Sequence, residues 1–275
     1  MRQPKGKPSD DIRLQYDVER ELADRLMSSE RDERPKLYQW AYQEMHRRVP
    51  QHPACRRTAA DLLRDATIQM AFLKRFLKSG TLMLEIGPGM CALSFQAAQQ
   101  VKKVYGADVF DEVTAMLPRP GNFELTVFDG MHLPFADNSI DLAYSNQVIE
   151  HLHPDDALEQ TRSIWRVLKP GGKYVCVTPN RITGPHDVSV YFDDVATCLH
   201  LKEYVTRELA AIMRRAGFSR VVAYAGLRNR YTAFPLRAIA VYEALLGMLP
   251  HSLERRLART VPLRALEGVR LVGVK

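Results

Sequence analysis

Short apolar runs alternate with helix-length segments through most of the chain from residue 82 onward, and this alternation constrains the fold more than any other feature. The first six runs cover residues 82–86, 103–108, 123–129, 141–146, 173–179 and 220–226. Strands separated by helices form βαβ units, which build a parallel sheet. Most of these runs are continuously apolar, as strands buried on both faces are. A last run, residues 268–275, is interpreted as a seventh strand.

The chain divides into three parts: a disordered N-terminus, a helical cap and the α/β domain, at residues 1–12, 13–80 and 81–275. In the cap, apolar residues recur at helical spacing, with a break near residues 28–35 and a further helix over 59–77. Within the domain, an apolar helical insertion of about 231–262 is predicted before the last strand.

A glycine turn follows the first strand in the sequence "LEIGPGMCA". Gly87 and Gly89 allow a sharp turn and let the backbone approach a ligand closely. "GPGMCA" satisfies a loose dinucleotide fingerprint with alanine in third place, and Asp108 follows at the end of the second strand, where it could bind a ribose. The turn alone leaves a nicotinamide dinucleotide and other adenosine ligands open.

Glu85, two residues before Gly87, favours one of these ligands. A carboxylate at this position repels a pyrophosphate but suits a ligand with sulfonium and ammonium groups. Further segments follow in order: "GADV", "DGMHLPF", "SNQVIEHL" and "LKPGG". With "LEIGPGMC", they resemble the motifs of class I S-adenosylmethionine-dependent methyltransferases of the type 11 group, over residues 81–226. The pattern departs from the family at Cys91, where a third glycine is common.

This resemblance implies a Rossmann-like α/β fold, with a seven-stranded, mostly parallel sheet in the order 3-2-1-4-5-7-6 and helices on both faces. It also implies methyl transfer from S-adenosyl-L-methionine to a small molecule, with oxygen slightly favoured over nitrogen or carbon. By position, the resemblance implies that the methionine end contacts Glu85, Gly87 and Gly89, and that the ribose contacts Asp108. It implies that adenine contacts Asp129, Gly130 and Met131. The transferred methyl is expected beside Asn146 and Gln147. For Asp129, a capping or turn role is the alternative.

His151 is the candidate catalytic residue, because it follows the fourth strand at the edge of the implied pocket. A hydroxyl or amine nucleophile loses a proton during methylation, and histidine is the usual base at neutral pH. His153 is a weaker candidate. The alternative for His151 is a structural role in which it ends a short helix and orients the loop backbone.

No metal site is predicted. The segment "QVIEHLH" is similar to the E-x-x-E-H segment that small-RNA 3′-end methyltransferases use for a divalent ion, but Gln147 replaces the first glutamate. Glu150, His151 and either His186 or His200 could still form a partial site, and a missing carboxylate weakens a site for a hard ion. An RNA-type methyltransferase with such a partial site therefore stays open, as does a non-methylating protein that binds S-adenosylmethionine.

The formal net charge of +7 raises the question of a nucleic-acid partner, but the basic residues are interleaved with apolar and acidic ones. We therefore expect a small-molecule substrate, for which an acidic compound would fit the charge, and no nucleic acid. No membrane span and no secretory signal are predicted, and four widely spaced cysteines suit a reducing cytoplasm. The insertion, around residues 238–249, could be a lid, a homodimer face or a lipid-facing helix.

Overall fold

A computed structural model describes residues 9–110, 117–227, 229–258, 260, 263–266 and 268–275. The strands are β1 (Leu82–Ile86), β2 (Lys103–Asp108), β3 (Phe123–Val127), β4 (Ile140–Asn146), β5 (Leu168–Pro179), β6 (Arg220–Leu227), β7 (Arg230–Phe234) and β8 (Gly268–Val274). The helices are α1 (Asp10–Met27), α2 (Arg34–Arg48), α3 (Ala59–Leu73), α4 (Ala92–Ala98), α5 (Pro154–Val167), α6 (Thr206–Ala216), α7 (Leu236–Leu246) and α8 (His251–Ala258).

One sheet of eight strands forms the centre of the molecule, in the order β3-β2-β1-β4-β5-β8-β6-β7. The first five strands of this order pair in parallel, and β8 runs antiparallel to both β5 and β6. The α/β prediction and the order of its seven strands are confirmed, with the C-terminal run as β8. The eighth strand, β7, was missed by the sequence analysis.

Strand β7 replaces the start of the predicted helical insertion. Its sequence, "RYTAF", is exposed except for the half-buried Tyr231, and it pairs antiparallel with the end of β6. Asn229 precedes it at a φ of +61°, in the left-handed region that short polar residues tolerate in tight turns. The insertion therefore begins as a hairpin, and its helical part is limited to α7 and α8.

The sheet order brings the ends of β1, β2 and β4 together. β1 lies between the other two: the chain continues from β1 to β2 and β3 on one side, and then crosses to β4 on the other side. Ligands of open α/β sheets bind at such a switch point, beyond the carboxyl ends of the strands. Ile86, Asp108 and Asn146 are the last residues of β1, β2 and β4, so the turn after β1 faces the site.

The N-terminal cap is helical, with the predicted break, but α1 already begins at Asp10 within the segment expected to be disordered. Ser9 caps this helix by accepting a hydrogen bond from the amide of Ile12. Residues 1–8 of that segment lie outside the described residues. A buried ion pair between Arg34 of α2 and Asp156 of α5 attaches the cap to the α/β domain.

No helix in the described part of the chain is long and apolar enough to cross a membrane.

Candidate functional site

The turn after β1 depends on glycine at position 87. Gly87 has a φ of +64°, and its amide donates to the carbonyl of Ala107 over 2.8 Å. A Cβ at this position would lie 2.5 Å from Cγ2 of Val148, which is too close for any other residue to fit without movement. Gly89, at a φ of +48°, faces open space instead. Both glycines line cavities, so the turn exposes backbone to a ligand.

Cys91, the position that departs from the family pattern, has a left-handed backbone at a φ of 58°. Its side chain is fully buried, and burial raises the pKa of the thiol to about 12. A thiol with this pKa stays protonated and unreactive near neutral pH. Cys91 is therefore a structural residue of the turn that leads into α4.

Glu85 is a buried carboxyl group on the wall of the larger cavity. Its Oε2 accepts a hydrogen bond from Ser94 Oγ over 2.5 Å, and burial raises its pKa to about 7. A cation beside this group would stabilise its ionised form, whereas a phosphate would be repelled. Glu85 thus suits a ligand with a positive charge, as the sequence analysis argued.

Asp108 lies at the tip of β2 on the wall of the smaller cavity. Its Oδ2 accepts from the amide of Gly89 over 3.0 Å, and its Oδ1 accepts from the amide of Val109 over 2.8 Å. Each carboxylate oxygen can accept a further hydrogen bond. The side chain is therefore held rigidly while it retains acceptor capacity for ligand hydroxyl groups.

Asp129 is engaged by its own turn. Its Oδ1 accepts from the amides of Met131 and His132 over 2.8 and 2.6 Å, and its Oδ2 lies 2.6 Å from Nδ1 of His132. This is the turn role that the sequence left as the alternative, and contact with adenine stays a prediction. Of the three predicted adenine contacts, Gly130 lines a cavity, whereas the side chain of Met131 is buried.

Two residues from other elements hold Gly130 in place. Gln160 of α5 donates from Nε2 to the carbonyl of Gly130 over 2.7 Å. Tyr38 of α2 packs so closely that a Cβ on Gly130 would lie 3.2 Å from its Cδ2. The cap therefore forms part of the wall of the smaller cavity, which Tyr38 and Gln160 also line.

Two adjoining cavities, of about 170 and 1090 Å³, share Gly87, Gly89, Gln147 and His151 in their walls. Asn146 lines the larger one, and Gln147 has a left-handed backbone at a φ of 56°. The residues predicted beside the transferred methyl thus lie where the two cavities meet. The predicted cofactor contacts thus extend over both cavities, with Asp108 and Gly130 on the smaller one and Glu85 on the larger one.

His151 presents one ring nitrogen as an acceptor. Its Nδ1 lies 2.9 Å from the carbonyl oxygen of Leu199, and a carbonyl can only accept, so Nδ1 carries the proton and Nε2 keeps a lone pair. Burial, assisted by the neighbouring His200, lowers the pKa of His151 to about 3. The ring is therefore neutral near pH 7, without the near-neutral pKa usual for a histidine base.

His200 carries the charge that His151 lacks. Its Nδ1 lies 2.9 Å from Oε1 of Glu203, and its ring centroid lies 4.8 Å from that of His151. Burial alone would lower its pKa, but the neighbouring carboxylates, Glu203 foremost, raise it to about 9. His200 is therefore an imidazolium at neutral pH. Glu203 also accepts a hydrogen bond from the amide of His186, so His186 and His200 both contact the same carboxylate.

Glu150, His151 and His200 bring one donor atom each within 4.8 Å of one another, whereas His186 lies outside this group. Glu150 is fully buried, and its Oε2 accepts from Thr178 Oγ1 over 2.9 Å. A divalent ion would have to displace the proton that His200 holds, since metal ligands must be deprotonated. The proton on His200 already compensates the neighbouring carboxylates, and the absence of a required metal stays a prediction.

Chelation is expected to leave methyl transfer unchanged, because the missing carboxylate at Gln147 and the protonated His200 both disfavour a bound ion. The measurement is turnover before and after treatment with EDTA, followed by dialysis. Activity that disappears with the chelator and returns with magnesium, manganese or zinc would instead make Glu150, His151 and His200 metal ligands.

The sequence analysis missed several cavity residues contributed by distant segments. Glu19 and His52, which line the larger cavity, approach each other to 3.3 Å. Gln160 and Phe110 line the smaller cavity. Phe110 lies just after β2, whereas the other three residues reach the site only through the packing of the cap and α5 on the sheet, so no local motif distinguishes them. Among the aromatic residues of the cap and of the loop after β5, Tyr38, Tyr42 and Tyr191 line a cavity, and Trp40 and Phe192 do not.

Comparison with known proteins agrees with this geometry. Residues 84–176 match the model of a methyltransferase domain family. A probable S-adenosylmethionine-dependent methyltransferase of Mycolicibacterium smegmatis is 33% identical over 142 residues, which cover 51% of this chain and 52% of that protein. A demethylmenaquinone methyltransferase of Corynebacterium glutamicum is 27% identical over 162 residues, covering 59% and 64%. The chain thus spans only part of the length of each relative.

The fold also matches a solved structure, that of an S-adenosylmethionine-dependent methyltransferase from Archaeoglobus fulgidus. The TM-score is 0.54 at 17% sequence identity, and the match covers 78% of this chain and 94% of that one. At this level of identity the similarity concerns the fold alone.

The site fits S-adenosylmethionine on its own chemistry. Glu85 offers a buried carboxyl group to a cation, Asp108 offers acceptors to a ribose, and Gly89 leaves space where a side chain would project. All three residues lie within the segment that matches the methyltransferase family, in the motifs that the sequence shares with these enzymes. Residues 84–176 therefore form a methyltransferase domain of the type 11 group, the family of class I S-adenosylmethionine-dependent enzymes that the motifs resemble.

Proposed function

We propose that this protein transfers a methyl group from S-adenosylmethionine to a small acceptor without strong negative charge, with a hydroxyl oxygen favoured as the methylated atom. When bound, S-adenosylmethionine supplies a methyl group activated by a sulfonium. Glu85, Asp108 and the Gly87–Gly89 backbone would hold it, and His151 would accept the proton of the acceptor hydroxyl. Glu85, Gly87 and Gly89 also line the larger cavity, and the remainder of that cavity is the space assigned to the acceptor.

The observation that carries the proposal is the charge of the larger cavity. Carboxyl groups on its described wall are Glu19, Asp65, Glu85 and Asp187, and the same wall carries Arg57 and the imidazolium of His200. Arg57 is already paired with Asp65 over 2.5 Å. The excess of basic residues in the whole sequence therefore does not extend into this cavity. His200 is hydrogen-bonded to Glu203, so a phosphorylated or carboxylated acceptor would face repulsion from the carboxyl groups on the wall.

The same wall favours a hydroxyl over an amine nucleophile. Carboxylates stabilise the protonated form of an amine, and a protonated amine has no lone pair with which to attack a methyl group. A hydroxyl can instead donate its proton to the neutral His151 ring as the new bond forms. The similarity to a demethylmenaquinone methyltransferase, whose name denotes a quinone-type substrate, is consistent with an uncharged acceptor.

Matched acceptors test this proposal directly. We expect methyl transfer from labelled S-adenosylmethionine to uncharged phenols or hydroquinones, and none to the same compounds bearing a phosphate. Methylation of a phosphorylated amine in preference to its unphosphorylated form would contradict the proposed acceptor class. Methylation of short RNA would support the RNA-type alternative. Cofactor binding without methylation of any acceptor in an extract of small metabolites would support the non-methylating alternative.

A further inference from the structure

Helix α7 is apolar on two sides, and only one of them packs against the protein. Ile239 and Leu246 are buried, and Leu246 belongs to a small core cluster with Ile182 and Val205. On the other side, Val241, Leu245 and Met248 are 60%, 61% and 80% exposed. A helix that is apolar all round normally has both sides covered. The exposed side of α7 therefore lacks a partner in the described part of the chain.

Helix α8 extends this exposed apolar surface. Leu253 and Leu257 lie one helical turn apart and are 41% and 36% exposed. We define the insertion face as the outward side of both helices, consisting of Arg237, Val241, Leu245, Met248, Leu253, Arg256 and Leu257. Apolar surface concentrated in this way on a soluble fold marks an interaction site.

The charges of these helices are sorted between their two sides. Arg237 lies four residues before Val241, on the same stripe of α7, and Arg256 lies beside Leu253 and Leu257 on α8. Both arginines are exposed. The two acidic residues of the helices point inward: Glu243 accepts from Asn180 and from the amide of Thr206, and Glu254 lies 3.0 Å from His251 Nδ1. The insertion face therefore combines apolar residues with positive charge only.

We propose that the insertion face binds the surface of an anionic lipid bilayer. Exposed apolar side chains flanked by arginines are the arrangement with which helices lie in the plane of a membrane. Anionic headgroups would compensate Arg237 and Arg256, which no carboxylate on the face can do. A symmetric homodimer through this face would cover the arginines with an identical patch that supplies no carboxylate, because an isologous interface uses the same surface on both copies. Charge thus favours the bilayer over a second copy.

Vesicle sedimentation with the full chain tests this inference. We expect binding to vesicles of phosphatidylcholine with phosphatidylglycerol, weaker binding at high salt, and little binding to pure phosphatidylcholine. Leu245→Glu should reduce the binding at least about tenfold, because it places a charge at the most apolar part of the face. Exchange of Arg237 and Arg256 for glutamine should remove the preference for anionic lipid.

Ile68→Glu is the matched control, since Ile68 is 48% exposed on α3, outside the insertion. Circular dichroism establishes that each variant is folded, and Met248→Ser, at the most exposed position, replaces any variant that is not. Binding that is absent for the wild type, or lost equally in Ile68→Glu, would overturn the proposal. So would a concentration-dependent dimer that Leu245→Glu dissociates, because the face would then bind a second copy.

Discussion

The His151→Ala variant should turn over about 10² times more slowly than the wild type, the lower end of the usual effect of removing a general base, because a pKa of about 3 makes the ring a weak base. Its affinity for S-adenosylmethionine should stay nearly unchanged, because no predicted cofactor contact depends on the imidazole. Turnover should fall because the variant lacks the Nε2 lone pair that accepts the proton. In the wild type this lone pair is free, since the ring proton lies on Nδ1, which donates to the carbonyl of Leu199. Steady-state kinetics with the true acceptor, together with calorimetry of cofactor binding, measure the two quantities separately.

His153→Ala is the control for this experiment. His153 lies two residues away and caps α5 by accepting from the amide of Asp155, and it lines neither cavity. Its loss should change turnover only a few-fold. Cofactor affinity that falls in parallel with turnover in His151→Ala would make His151 a structural support of the loop. Because its pKa is about 3, wild-type turnover should show no acidic decline from His151 between pH 5 and 8.

Asp156→Ala is expected to lower the free energy of unfolding by about 3–5 kcal/mol, because it leaves a buried arginine without its partner. Asp156 receives two hydrogen bonds from Arg34, over 2.7 and 2.8 Å, and one from the hydroxyl of Tyr38 over 2.6 Å. All three side chains are buried. Since Tyr38 also lines the smaller cavity, the same variant should weaken cofactor binding. Chemical denaturation followed by circular dichroism measures the change in stability.

Asp137→Ala provides the comparison for an exposed ion pair. Asp137 lies 2.6 Å from Arg166, and its side chain is 65% exposed. Exposed pairs contribute about 0–1 kcal/mol, so its loss should be much smaller. Equal effects of the two substitutions would mean that the cap is not fixed to the α/β domain through Asp156.

The sequence predicted the parts of the site that depend on local chain geometry. Glu85, Gly87 and Asp108 could be placed because carboxyl ends of neighbouring parallel strands meet at one edge of the sheet. Strand β7 could not be separated from the helix after it, because short apolar runs fit either structure. The role of Asp129 was ambiguous for a similar reason, since aspartate caps turns and binds ligands with the same oxygens.

The electrostatics of the site could not be predicted from the sequence. The low pKa of His151 arises from burial and from His200, which is 49 residues away in the chain and approaches only through the loop after β5. The acidic wall of the larger cavity likewise combines Glu19 of the cap with Asp187 of that loop. The net charge of the sequence suggested an acidic substrate, and the distribution of charge in the fold favours an uncharged one.

Calorimetry with S-adenosylmethionine and with NAD tests the identity of the cofactor most directly. We expect S-adenosylmethionine to bind in the micromolar range and NAD to show no binding, because Glu85 repels a pyrophosphate. Asp108→Ala should weaken the binding of S-adenosylmethionine by about 1–3 kcal/mol, because charge-assisted hydrogen bonds are lost. Affinity should rise as the pH increases through about 7, since the ionised form of Glu85 binds the cationic ligand, and Glu85→Gln should abolish this rise. Tight binding of NAD, or an affinity unchanged in Asp108→Ala, would contradict this assignment of the site.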